Sequence, residues 1–139
     1  MAVRHGSKGT RAAARSALSK RIAEVRKGLP LAELDHMAEL LGISRAQLAG
    51  TLDTSLRTLQ RKADADARLS PAVSDRLARS KRIHELATHV LGERDKASRW
   101  LTTASRGLGG EVPLQMLDTD TGTERVQLEL CEIEYGMPL

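Results

Sequence analysis

Three features of the sequence predict an all-α fold. Apolar residues recur three and four apart through most of the 139 residues, which is the helical period. Ser and Thr precede the apolar runs and Gly or Pro closes them, as helix starts and stops require. No stretch alternates apolar and polar residues as a half-buried strand would. The expected organisation is a disordered basic tail over residues 1–10, a helix-turn-helix-like domain over 11–66, and a small helical C-terminal domain over 67–139.

Composition bounds what such a chain can be. A hydrophobic content of 40% with no phenylalanine allows a real core, but an aliphatic one. The net charge of +4 is the residue of two opposed ends. Arg4, Lys8, Arg11, Arg15, Lys20, Arg21, Arg26 and Lys27 stand against Glu24 alone at the start. From Gly107 onward Glu111, Asp118, Asp120, Glu124, Glu129, Glu132 and Glu134 face only Arg125. A basic pole and an acidic pole imply two different partners. The single cysteine, Cys131, excludes an internal disulfide framework and a cysteine-rich zinc site. With no apolar run of membrane length and no apolar signal core, the expectation is a cytoplasmic protein with no membrane partner.

Ala14, Leu18, Ile22 and Val25 recur at i, i+4, i+8 and i+11, predicting a first helix over about 11–27 with Gly28 past its end and Pro30 blocking continuation. Its other face is nearly all Arg and Lys. Leu34, Met37, Ala38 and Leu41 mark a second helix stopped by Gly42. Ser44 caps a third through Ala46, Leu48, Ala49 and Leu52, and Thr54 or Ser55 caps a fourth with Leu56 and Leu59 inward. Helix, tight turn and helix over 44–62 make a helix-turn-helix pattern, except that Asp53-Thr54 stands where such turns commonly have Gly followed by an apolar residue.

Ala63 to Arg68 reads as a linker. Ser70-Pro71 then opens a long helix to about 91, with Val73, Leu77, His84, Ala87 and Leu91 on one stripe and Gly92 as its stop. Ala97, Trp100, Leu101 and Ala104 give a short helix with one large anchor on its apolar face. Gly107, Gly109 and Gly110 end it, and Pro113 starts a turn whose inner face is Leu114 and Leu117. Asp118 to Gly122 is a further break, and a last helix runs over about 123–135 to Gly136.

Chemical motifs are weak. Gly107-Leu-Gly109-Gly110 follows a helix rather than a strand and lacks the rest of a phosphate loop. Asp118-x-Asp120 fails as a calcium loop at Gly122 and Thr123. His5, His36, His84 and His89 have no metal spacing, and Cys131, beside Leu130, reads as a packed thiol rather than a nucleophile. No enzyme, cofactor or metal is expected.

The succession of a Trp100-Leu101 helix, a Leu108-Gly109-Gly110-x-x-Pro113-Leu turn, a short helix, a Thr-x-x-Gly122 break and a final Val126-x-x-x-Leu130-x-x-Ile133-x-x-Gly136 helix resembles the toxin-binding domain of the MbcA/ParS/Xre antitoxins. Leu69-Ser-Pro-x-x-Ser-Asp-Arg-Leu77 is similar to that family's central segment. The resemblance implies an antitoxin paired with a RES-domain toxin that consumes NAD or transfers ADP-ribose. One reading helix covers too little sequence alone, so a homodimer within a toxin–antitoxin hetero-oligomer is expected, with the operon repressed by its own product.

From the helix-turn-helix pattern and the basic pole, DNA contact is expected from Ser55, Arg57, Thr58, Gln60 and Arg61, with Lys62 and the basic first helix adding phosphate contacts. Toxin contact is expected from Glu129, Glu132, Glu134 and Tyr135 on the last helix and from a short arm, Met137-Pro138-Leu139. The competing expectations are a stand-alone helix-turn-helix regulator whose C-terminal domain dimerises and, further off, an enzyme using the Gly-rich turn.

Overall fold

The computed structural model describes residues 4–61 and 67–136, and at positions 4–8 the backbone alone. Among these residues are eight α-helices and no strand. They are α1 Arg4–Lys27, α2 Leu31–Leu41, α3 Arg45–Thr51, α4 Leu56–Gln60, α5 Pro71–Leu91, α6 Arg94–Thr102, α7 Pro113–Met116 and α8 Asp120–Tyr135. A 3-10 turn, Arg106–Leu108, separates α6 from α7.

The local signals that start helices act as their chemistry dictates. Ser44 and Gln47 form a reciprocal capping box at α3, each side chain taking the other's backbone N–H. Ser70 accepts from Val73 N in front of Pro71, which needs no hydrogen-bond partner at that position. Thr119 accepts from Gly122 N, so α8 begins at Asp120, slightly ahead of the expected start. Pro113 opens α7 and is itself buried, with Leu114 and Leu117 inward beside it.

α5 is the spine, packing against α1, α6 and α8, while α6 also packs on α2. One aliphatic cluster runs through the chain, from Leu34, Leu48, Leu52 and Leu59 to Leu77, Ile83, Leu101, Val126 and Leu130. The strand-like corner beyond α1 is tied to the chain entering α5. Leu69 N donates to Leu29 O at 2.8 Å, Leu31 N to Ala67 O at 3.1 Å, and Leu29 N to the Ser74 hydroxyl at 2.8 Å. Most of the expected linker lies outside the described residues.

A buried polar chain joins the first helices to the later ones. The His84 Nε2 of α5 is 2.9 Å from the Ser98 hydroxyl of α6, which donates to Leu40 O of α2 at 2.8 Å. Burial pushes the His84 pKa below its ordinary value, against a backbone hydrogen bond at Arg94 that works the other way.

Several expectations are corrected. α1 begins at Arg4, not near residue 11, so the part of the expected tail from 4 to 10 is helical. Once a helix is nucleated, here beside Ala12-Ala13-Ala14, each added residue gains a backbone bond. Leu18 and Ile22, expected inside, are 52% and 49% exposed. They line a groove of about 430 Å³ against Ala78, Arg79 and Arg82 of α5 instead of a closed interface. Leu56 is exposed as well, since a helix as short as α4 seats only Leu59. Trp100 is half-buried at the edge of the core and Leu101 fills the position the Trp was expected to hold, while Ala104 lies beyond α6 and is exposed.

Candidate functional site

Two faces collect the residues singled out above. The first is built by α3 and α4. Leu52, at the end of α3, is followed by Asp53 at φ 57°. Thr54 N donates to Ala49 O and Asp53 N to Gly50 O, the paired bonds that end a helix through a left-handed residue. Asp53 thus takes the conformation that Gly usually supplies, and the turn closes without one. Arg76 of α5 holds it from behind, donating to Leu52 O at 3.2 Å and lying 3.5 Å from the Asp53 carboxylate.

α3 is fixed at its other end by a two-bond pair from Arg45 Nε and Nη2 to Asp35 of α2, both 2.6 Å. That hydrogen bond raises the Arg45 pKa above its ordinary value. The geometry is the planar fork that arginine makes with carboxylates, and it sets the α2–α3 angle.

Beyond this turn Ser55 is occupied as a cap. Its Oγ accepts from Thr58 N at 3.2 Å and lies 3.0 Å from the Thr58 hydroxyl. Arg57, Gln60 and Arg61 are exposed, with Arg57 and Arg61 one helical turn apart on the outward edge. Lys62 lies outside the described residues.

The second face is on α8. Thr123, Val126, Glu129 and Leu130 are buried, which leaves Glu124, Leu128, Cys131 and Tyr135, at i, i+4, i+7 and i+11, pointing away from the body. Leu128 is 52% and Tyr135 71% exposed. Helical spacing opposite Val126 and Leu130 was the signal that could have found this stripe. Cys131 is exposed, not packed.

The acidic face expected on this helix is dispersed. Glu129 is 3% exposed, and one of its oxygens lies 3.4 Å from Arg125 Nη2. That nitrogen donates to Gly107 O at 2.6 Å. A side chain at Gly107 would collide with the Glu129 carboxylate, so this carboxylate locks the Gly-rich turn onto α8 and offers nothing to a partner. Glu134 pairs sideways with His89 of α5 at 3.4 Å. Glu132 is half-buried, and one of its carboxylate oxygens is enclosed. Tyr135 alone of the four helix residues expected to meet the toxin stands fully outward, and Met137, Pro138 and Leu139 lie outside the described residues. Gly109 and Gly110, at φ 66° and 85°, make the turn that carries Leu108 inward, and Gly122 sits against Met116 O with no room for a side chain.

No group of His, Cys, Asp or Glu that could hold a metal ion occurs among the described residues. No helix among them is long and apolar enough to cross a membrane.

The fold and its two faces define a class: an all-α protein in which a helix-turn-helix segment shares one core with a helical C-terminal docking module. Within that class the chain belongs to the Xre/MbcA/ParS antitoxin family. The family model described as the antitoxin Xre-like helix-turn-helix domain matches residues 20–80, and that of the antitoxin Xre/MbcA/ParS C-terminal toxin-binding domain matches residues 86–136. A protein named Antitoxin Xre from Pseudomonas putida is 37% identical over 109 residues, 78% of this chain and 65% of that protein. One of the same name from Yersinia enterocolitica is 29% identical over 118 residues, 81% of this chain and 77% of that one. The chain thus spans just under two thirds of the Pseudomonas relative.

Proposed function

We propose that this chain neutralises a RES-domain toxin acting on NAD, by degrading it or transferring its ADP-ribose, and that it represses its own operon through DNA contact. What supports the first half is the α8 stripe. Leu128, Cys131 and Tyr135 form an apolar edge facing solvent within the segment matched to a toxin-binding domain, and such an edge gains most by burial against a partner. A pocket that binds NAD offers cationic or N–H groups to its pyrophosphate, so the exposed Glu124 beside the stripe suits its rim. In this reading the arm Met137-Pro138-Leu139 also contacts the toxin.

The second half is supported by the closed α3–α4 turn and by Arg57, Gln60 and Arg61 beside it. Bidentate Arg or Gln contacts to base edges are worth about 1–3 kcal/mol each. A helix of five residues reads little alone, so a dimer on a two-fold operator fits it best.

The test uses Cys131, the only thiol of the chain. The chain is co-expressed with the product of the adjacent reading frame, purified, and alkylated with N-ethylmaleimide. Co-purification with Cys131 protected in the complex and reactive in the free chain is the expected result. An isolated oligomer with no captured partner and Cys131 protected by self-association supports the stand-alone regulator instead.

A further inference from the structure

The groove between α1 and α5 is an apolar surface that nothing in the antitoxin reading covers. Its floor is Leu18, Ile22 and Val25 of α1 with Ala78 of α5, and it measures about 430 Å³. Leu18 and Ile22 keep about half of their surface in water. Arg21, Arg26 and Arg82 also line it, exposed and without an ion pair among the described residues. Arg79, a fourth lining cation, donates to Leu117 O and to the Asp75 carboxylate, so that pair is already satisfied.

Asp120, the first residue of α8, lines the groove as well. Glu124, Leu128, Cys131 and Tyr135 follow it at i+4, i+8, i+11 and i+15, so Asp120 belongs to the same outward stripe. The stripe therefore starts in the groove. Together they make one continuous surface, about 22 Å along α8 and about 10 Å along α1 from Leu18 to Val25.

We infer that this groove is the second half of the toxin-docking surface, and that the toxin seats in it an apolar segment flanked by carboxylates. The inference rests on the reading that the α8 stripe meets the toxin. Area and charge carry it. A stable interface buries about 800 Å² on each partner through about 20–30 residues, far more than Leu128, Cys131 and Tyr135 with their neighbours supply. The groove is the apolar surface that continues them. The toxin face is then two-signed, with cations opposite Asp120 and Glu124 and carboxylates opposite Arg21, Arg26 and Arg82. Apart from Asp120, the groove lies outside residues 86–136, so a part of the chain beyond the matched toxin-binding domain shares in the docking.

Other occupants fit the groove less well. A phosphate backbone would meet the arginines but leave Leu18 and Ile22 nothing to bury against. A second copy laying its own α1 there would bring Arg15, Lys20, Arg21 and Arg26 against the same cations. Elsewhere on a second copy Leu40 and Leu56 are lone exposed side chains, and its α8 stripe is the edge the toxin takes.

The experiment measures the affinity of the full-length chain for the purified product of the adjacent reading frame, with duplex binding, sedimentation mass and melting midpoint read on the same preparations. Three variants are compared with the wild type: Leu18→Ser/Ile22→Ser, Arg21→Glu/Arg82→Glu, and Leu128→Lys/Tyr135→Ala. The Ser pair removes the apolar floor without changing a charge, and should weaken toxin binding about tenfold or more. Its duplex binding should be unchanged and its melting midpoint only slightly lower, because both side chains are already half solvated. The Glu pair should weaken toxin binding as well, by a factor that shrinks as salt rises. Weakening by the Leu128/Tyr135 variant alone overturns the groove and leaves the stripe as the toxin site. Weakening by the groove variants alone overturns the stripe reading and leaves the groove as the docking site. Toxin affinity unchanged in the Ser pair, with self-association or duplex binding lost instead, gives the groove to a second copy or to DNA and overturns the inference. A wild-type chain that does not bind the toxin overturns both.

Discussion

α1 and α8 are both terminal helices, both amphipathic and both strongly charged, yet the body treats them oppositely. α8 drives Thr123, Val126 and Leu130 fully inside and fastens its flank with Arg125 and Glu129 to the Gly-rich turn. α1 lays an equally regular stripe beside α5 and leaves Leu18 and Ile22 about half in water. A helical period states which face can be buried, and only the rest of the chain decides whether anything comes to cover it. α8 has α5 on one side and the 3-10 turn and α7 closing over it on another, whereas α1 packs chiefly against α5.

The contrast is sharpest in stability. Leu130→Ala removes a fully buried side chain and should cost about 2–5 kcal/mol, read as a lower denaturant midpoint with unchanged slope. Gly107→Ala should follow at about 1–3 kcal/mol, because the added methyl must displace the Glu129 carboxylate from an enclosed site. Leu18→Ala should be smallest, within about 0.5–1 kcal/mol, since half of that side chain is already solvated. A Leu18→Ala loss as large as that of Leu130→Ala would erase the difference between the two helices.

Acid acts on the joint between the early and late helices. The His84 pKa is lowered in the folded state, so the neutral imidazole is what the fold holds. The stability it contributes is complete above the unfolded value of about 6.5 and is lost as pH falls from there through the lowered folded value. His84→Gln should be less stable at neutral pH and should flatten the decline on that acidic side. An equal decline in both proteins would place the acid sensitivity elsewhere.

What was legible in the sequence was local. Ser44, Ser70 before Pro71, Gly92 and Pro113 fix helix ends through atoms three or four residues away, and each acts as its type requires. Ser55 capped α4 for the same reason. Tertiary facts were not legible. Glu129 and Glu134 look alike in sequence, but the first is enclosed because Gly107 and Arg125 arrive from another part of the chain. Cys131 sits next to buried Leu130, yet one residue is 100° of helix, enough to turn the thiol outward. Asp53 could be seen to replace a glycine, but not that Arg76 would stand behind it. The apolar edge of α8 was not legible because Leu128, Cys131 and Tyr135 are interleaved in sequence with Glu129, Glu132 and Glu134, and only burial separates the two sets.

The direct test of the antitoxin account is inhibition of the toxin by the full-length chain carrying Leu128→Lys and Tyr135→Ala. Both side chains are outward, so folding and duplex binding should match the wild type. Losing a central anchor from an interface costs about 2 kcal/mol or more, about thirty-fold in affinity. The account predicts inhibition weakened by at least that factor; full protection by the double variant would contradict it and remove the α8 stripe from the toxin interface.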